Sequence, residues 1–143
     1  MSSKNYKIAL AGNPNSGKTT LFNSFTGFKQ RIGNWPGVTV ERKEGSFTYK
    51  GEKVDIVDLP GIYSFSANSL DEKVAREYIL SNEADLIVNI VDASNLERSL
   101  YLTTQIIEMK KPFLVALNMV DVAEQRHIKI NVEMLSRYLG CPV

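Results

Sequence analysis

Sulfur and imidazole are nearly missing from this chain: among its 143 residues Cys141 is the only cysteine and His127 the only histidine. Neither a disulfide framework nor a soft-metal cluster can be built within one such chain, which suits a reduced, cytosolic setting. An excess of charge is missing too. With a formal net charge of +1, the chain has no broad basic footprint, and nucleic acid is not expected as a partner. No stretch approaches the roughly 18 uninterrupted apolar residues of a membrane-spanning helix, and the polar start MSSKNYK has no secretory apolar region behind it. Internal repeats, low-complexity tracts and Pro/Gly/Ser linkers are likewise not found. What is there is ordinary for one globular domain, with 43% hydrophobic and 23% charged residues.

The pattern alternates short apolar strands with longer amphipathic segments. IALA at 8–11 reads as a strand that enters a Gly/Asn/Pro turn and then a helix, KTTLFNSFTG, with Leu21, Phe22 and Phe25 on one face. GVTVERKEGSFTYK and EKVDIVDLP flank a Lys50-Gly51 turn as a hairpin. Ser69 to Glu72 has the S-x-x-E form of a capping box before a helix that runs to about Leu80. ADLIVNIVDA and PFLVALNMVD read as buried strands, separated by a helix that Ser94-Asn95-Leu96-Glu97 caps and Lys110, Lys111 and Pro112 end. A last helix spans Val132 to Leu139, with Gly140 behind it. Strands and helices in this order predict an α/β fold: a mostly parallel sheet with one antiparallel hairpin and helices on both faces.

Three motifs carry the chemistry. GNPNSGKT at 12–19 fits G-x-x-x-x-G-K-[ST] between a strand and a helix, the arrangement in which glycines let backbone N–H groups turn toward phosphate. Gly12, Asn13, Pro14, Asn15, Ser16, Gly17, Lys18, Thr19 and Thr20 are therefore the expected phosphate-binding residues. Lys18 would reach the β and γ phosphates, and Thr19 would offer its hydroxyl to Mg²⁺. DLPG at 58–61 ends a strand. There Asp58 could hold Mg²⁺ through water, and Gly61 could turn its N–H toward a γ phosphate. Asn118-Met119-Val120-Asp121 ends another strand, on the carboxyl edge where open α/β sheets bind ligands. Asp121 can accept from guanine N1–H and the exocyclic amino group together, which adenine cannot supply, so the expected nucleotide is GTP or GDP.

GNPNSGKT, IGNWPGVTVERKEG, DLPGIYS and NIVDASNLERSLYL together resemble the cytosolic GTPase domain of the bacterial ferrous iron transporter family FeoB, over essentially the whole chain. The resemblance implies a P-loop GTPase (Ras-like) fold for residues 1–143, truncated before the last strand, helix and base-binding loop. It also implies a regulatory role at the cytoplasmic face of the cell membrane. The expected partners are a membrane-embedded transporter region of the same full-length chain, reached through a helical spacer, and a small regulatory protein; oligomerisation is left open. Thr39 matches the family's first-switch threonine, a Mg²⁺ ligand when the γ phosphate is bound. Met119 stands where a general GTPase has lysine and can still lay an apolar stem along the base, but without the final base-binding loop guanine is held on fewer sides, which predicts weak, readily exchanged nucleotide.

Ile62, after DLPG, occupies the place of a water-positioning glutamine. The resemblance implies another arrangement: potassium near the phosphates, held by the Asn15 side-chain oxygen and the backbone carbonyls of Gly33 and Trp35, beside Lys18, Thr39 and Gly61 as catalytic groups. Gly33 to Gly37 is too rich in turn formers for a strand interior and reads as a loop, in which Trp35 either docks on the domain or meets a partner. Two other functions fit parts of the pattern. An RNA-associated GTPase shares the N-x-G-K-T loop but would carry a basic element, and a non-hydrolysing nucleotide sensor would tolerate Ile62.

Overall fold

The computed structural model describes residues 5–66 and 68–143; the first four residues of the polar start MSSKNYK lie outside them. Six strands form one sheet: β1 (Tyr6–Gly12), β2 (Gln30–Asn34), β3 (Glu41–Tyr49), β4 (Glu52–Asp58), β5 (Leu86–Asp92) and β6 (Phe113–Asn118), in the order β2-β3-β4-β1-β5-β6. β1 is parallel to both β4 and β5, and β5 to β6, whereas β3 is antiparallel to β4 and β2 to β3. The helices are α1 (Lys18–Thr26), α2 (Leu70–Leu80), α3 (Leu96–Glu108), α4 (Val120–Gln125) and α5 (Val132–Leu139).

Side-chain alternation along β1 divides the core. Ala9 and Ala11 face a cluster with Val57, Ile87, Tyr78 and Ile79 of α2, and Leu102 and Ile106 of α3. Leu10 points the other way, into a cluster with Ile56, Ile90 and Phe22 of α1. Two-faced burial explains why β1 and β5 read as continuous apolar runs. Of the α1 face expected from sequence, Phe22 is buried and Leu21 half-buried. Phe25 is largely exposed and stacks on Phe47 with ring centroids 4.9 Å apart.

Several local expectations are revised. The edge strand β2 has no sequence counterpart, because QRIGN carries only one large apolar residue, Ile32, and that side chain is exposed. Gly33 and Asn34 complete β2 by pairing with Arg42 and Glu41. Trp35 follows as a buried core residue. The Ser69 hydroxyl accepts from Glu72 N at 3.2 Å, but Glu72 turns its carboxylate to the Ser66 hydroxyl, so only half of the capping box forms. A short 3₁₀ turn, Ala93–Asn95, precedes α3, and Asp92 caps it by accepting from Ser94 N at 2.8 Å. Asn95, the residue before α3, makes no side-chain cap.

Candidate nucleotide site

Everything in the site hangs on the carboxyl ends of β1, β4 and β6. β1 releases the chain at Gly12 into a tight loop, where Asn15 (φ 65°) and Gly17 (φ 91°) are left-handed and Ser16 N donates to Asn13 O at 3.2 Å. That curl ends at the first turn of α1, where unpaired N–H groups and the helix dipole favour an anion. Gly17 is required on two counts. Its φ is positive, and a Cβ there would lie 2.1 Å from Asn118 Nδ2.

Lys18 and Asp58 meet at the floor as a buried ion pair, only 6% and 7% exposed. The Thr19 hydroxyl donates to the other carboxylate oxygen, Asp58 Oδ2, at 3.1 Å. Residues forty positions apart are thus joined by the parallel β1–β4 register, which pairs Leu10 with Asp58. The register continues into the DLPG loop, with Leu59 N donating to Leu10 O and Ile62 N to Gly12 O. Gly61 consequently lies against Pro14, whose Cα would be 3.1 Å from a Cβ at that position.

A cleft of about 450 Å³ opens above this floor, lined by Pro14, Asn15, Lys18, Thr19, Thr20 and Gly61 among others. Asp71, read from sequence only within a helix cap, lines it too. Asn13 and Ser16 are buried, and Asn13 Oδ1 and Ser16 Oγ have no hydrogen-bond partner among the described residues. The Thr19 hydroxyl and Asp58 carboxylate are hard oxygen donors already 3.1 Å apart, a set that fits Mg²⁺.

β6 brings the third motif to the first. Asn118 Nδ2 donates to Ser16 O at 2.9 Å, tying the end of β6 to the phosphate loop. Met119 is left-handed (φ 59°) and starts α4, and its Cε lies 3.6 Å from where a Gly17 Cβ would be. Asp121 is exposed in the first turn of that helix. The strut between Asn118 and Ser16 is not foreseen from sequence; the separation of 102 residues hides it, although the order of the motifs hints that their loops share one sheet edge.

The first-switch residues lie elsewhere. Thr39 is exposed and does not line the cleft. Trp35 docks on α2, its ring 5.3 Å from that of Tyr78 in an edge-to-face arrangement, with the Arg42 guanidinium 4.4 Å above the indole. Trp35 N donates to Val40 O at 2.9 Å, and the Trp35 carbonyl accepts from Val38 N at 3.2 Å. Of the donors expected for potassium, Asn15 lines the cleft, Gly33 sits on β2, and the Trp35 carbonyl accepts from Val38 N in its own turn. Ile62, 3% exposed, belongs to the core and cannot reach a water at the phosphates.

Comparison with known proteins agrees with this architecture. The family model for ferrous iron transport protein B matches residues 6–143. The Fe(2+) transporter FeoB of Escherichia coli K12 is 60% identical over 144 residues, covering 98% of this chain and 19% of the transporter. Among solved structures, the G domain of the T. maritima FeoB iron transporter superposes with a TM-score of 0.91 at 50% identity, covering 98% of this chain and 86% of that one. An S. thermophilus NFeoB mutant bound to mGDP gives 0.93 at 59% identity, covering 98% and 54%. The fold is that of P-loop GTPases, and this chain spans about a fifth of the length of the curated relatives it matches.

Proposed function

This chain belongs to the ferrous iron transport protein B family, and from that premise we propose that it binds GTP and hydrolyses it to GDP and phosphate, as the regulatory switch of a ferrous iron transporter. The observation that carries the proposal is the buried cluster of Lys18, Asp58 and Thr19 under a loop whose left-handed Asn15 and Gly17 open its N–H groups to an anion. A bound triphosphate gives Lys18 a second anionic partner beside Asp58. The Thr19 hydroxyl and Asp58 would hold Mg²⁺, which supplies charge neutralisation at the β and γ phosphates.

Phosphoryl transfer needs chiefly positioning and charge. Lys18 stabilises negative charge developing on the γ phosphate, and the Gly61 N–H orients the same group. Ile62 being in the core, the attacking water is placed by backbone of the Trp35–Thr39 loop instead of by a side chain in the DLPG loop. Thr39 and the carbonyls of Gly33 and Trp35 join the site only when that loop leaves its dock on Tyr78. Iron is the cargo of the remainder of the full-length protein, whose membrane region this domain serves from the cytoplasmic face; a small regulatory protein is a further proposed partner.

Guanine is selected by Asp121, with Asn118 and Met119 beside it. Asp121 is exposed at the start of α4, so its replacement spares the fold. Calorimetric titration of Asp121→Asn should show roughly tenfold or greater loss of GDP affinity, the scale of charged hydrogen bonds to the base, with a gain for xanthosine diphosphate. Unchanged preference for GDP would refute the base contact.

A further inference from the structure

Among the described residues the sheet ends on β2, with no strand beyond it. Arg31, Ile32, Gly33 and Asn34 are all exposed, Ile32 at 65%. The opposite edge, β6, is partly covered, since Val115 N donates to Pro142 O at 2.9 Å. A strand edge left open can pair with another chain, and proteins usually guard such edges with proline, bulges, charges or covering elements. β2 has little of this. QRIGN pairs with β3 in unbroken register from Gln30 opposite Gly45 to Asn34 opposite Glu41, and Arg31 is its single charge.

The phase of the ladder tells which backbone groups of β2 are free. Trp35 N donates to Val40 O, one step past Asn34 and Glu41 in the same register. Facing residues of an antiparallel pair alternate between bonded and non-bonded, so Arg31 and Gly33 turn their N–H and C=O groups to β3. Gln30, Ile32 and Asn34 turn theirs outward. A second copy laid antiparallel about a two-fold axis at Ile32 sets Ile32 against Ile32 and Gln30 against Asn34. Every outward group is then used, each facing pair exchanging two bonds, and the two exposed isoleucine side chains cover each other. Arg31 faces Gly33, so no like charges meet. Neighbouring registers are worse: moving the axis one residue back sets Arg31 against Arg31, and one residue forward sets Gln30 against Pro36, which has no N–H.

We propose that β2 is a self-pairing edge, on which a second copy of this chain docks about a two-fold axis at Ile32 and continues the sheet. Such a contact uses the same patch on both copies. It is short, so the association is weak in solution. Pairing would also hold Gly33 in β2, away from the potassium donor set; this consequence rests on the GTPase reading, while pairing itself does not.

The test is sedimentation equilibrium without nucleotide, from about 10 µM to about 1 mM protein, the range of weak association. The average mass should rise toward twice that of the monomer. Ile32→Lys places two like charges at the axis, and Ile32→Pro removes an outward N–H; each should weaken association at least about tenfold. Ile32 is exposed and its backbone groups face away from β3, so both variants spare the fold. Should Ile32→Pro loosen β2 itself, Ile32→Lys and the unaltered chain decide. In nitrogen-edited NMR spectra of the unaltered chain, the amide protons of Gln30, Ile32 and Asn34 should shift as concentration rises, and those of Arg31 and Gly33 should shift less. A monomer throughout the range, association that Ile32→Lys leaves unchanged, or concentration-dependent shifts that miss these three amides would overturn the proposal.

Discussion

Burial decides what individual residues can do here. Ile62 follows the glycine of DLPG, where its side chain could have faced the phosphates, but the hydrogen bond from its N–H to Gly12 O turns the side chain into the core. Lys18 and Asp58 are charged and nearly as buried, and they are tolerated because each neutralises the other. The Tyr78 oxygen has no hydrogen-bond partner among the described residues, and burial, with Glu83 adding to it, pushes its ionisation up to about 12. The folded chain thus keeps the phenol proton in a range where the unfolded chain, near 10, has released it. Stability from this group is complete below pH 10 and is lost as pH rises from 10 toward 12. In urea melts between pH 9 and 11.5, Tyr78→Phe should lose less stability than the parent chain; parallel slopes would count against the assigned environment. Cys141, raised by burial, stays a thiol at neutral pH.

At the scale of elements, the loop between β2 and β3 matters most. It holds Gly37 (φ 75°) and Thr39, and Trp35 anchors it on α2. In the proposed switch this anchor opposes assembly of the Asn15, Gly33 and Trp35 oxygens around potassium. If those oxygens do converge with nucleotide bound, GTP hydrolysis should run at least about tenfold faster in potassium than in sodium at equal ionic strength, a barrier change of about 1.4 kcal/mol. Asn15→Ala should remove most of that difference; equal rates in both salts would exclude the arrangement. How much of this was legible in the sequence follows from the kind of signal each element carries. β1, β5 and β6 announce themselves as apolar runs, β3 and β4 as an alternating hairpin, and α1 follows directly from the phosphate-loop motif. β2 is polar and exposed and α4 is only Val120–Gln125, so neither has a hydrophobic period to read. The phosphate loop and Asp58 could be placed by spacing alone. The Asn118 strut, the docking of Trp35 and the burial of Ile62 depend on long-range packing that no local window contains.

For the whole molecule, the sheet order β2-β3-β4-β1-β5-β6 explains why three distant motifs share one edge. β1 lies between β4 and β5, so the phosphate loop from β1 and the Asp58 loop from β4 are neighbours, and β6 lies one strand beyond β5. On the other side, the antiparallel β2–β3 pair carries the loop that docks on α2. A rigid nucleotide floor and a separately anchored loop are the two parts a switch requires, one to hold phosphate and one to respond to it. A non-hydrolysing sensor could use the same parts, and only the chemical step separates the two functions. Single-turnover assay of phosphate release from GTP, with protein in excess and with or without Mg²⁺, tests this most directly. Release faster than the protein-free reaction, abolished when Mg²⁺ is chelated, is expected of a hydrolysing switch; GTP that binds yet is recovered intact at the protein-free rate would contradict it.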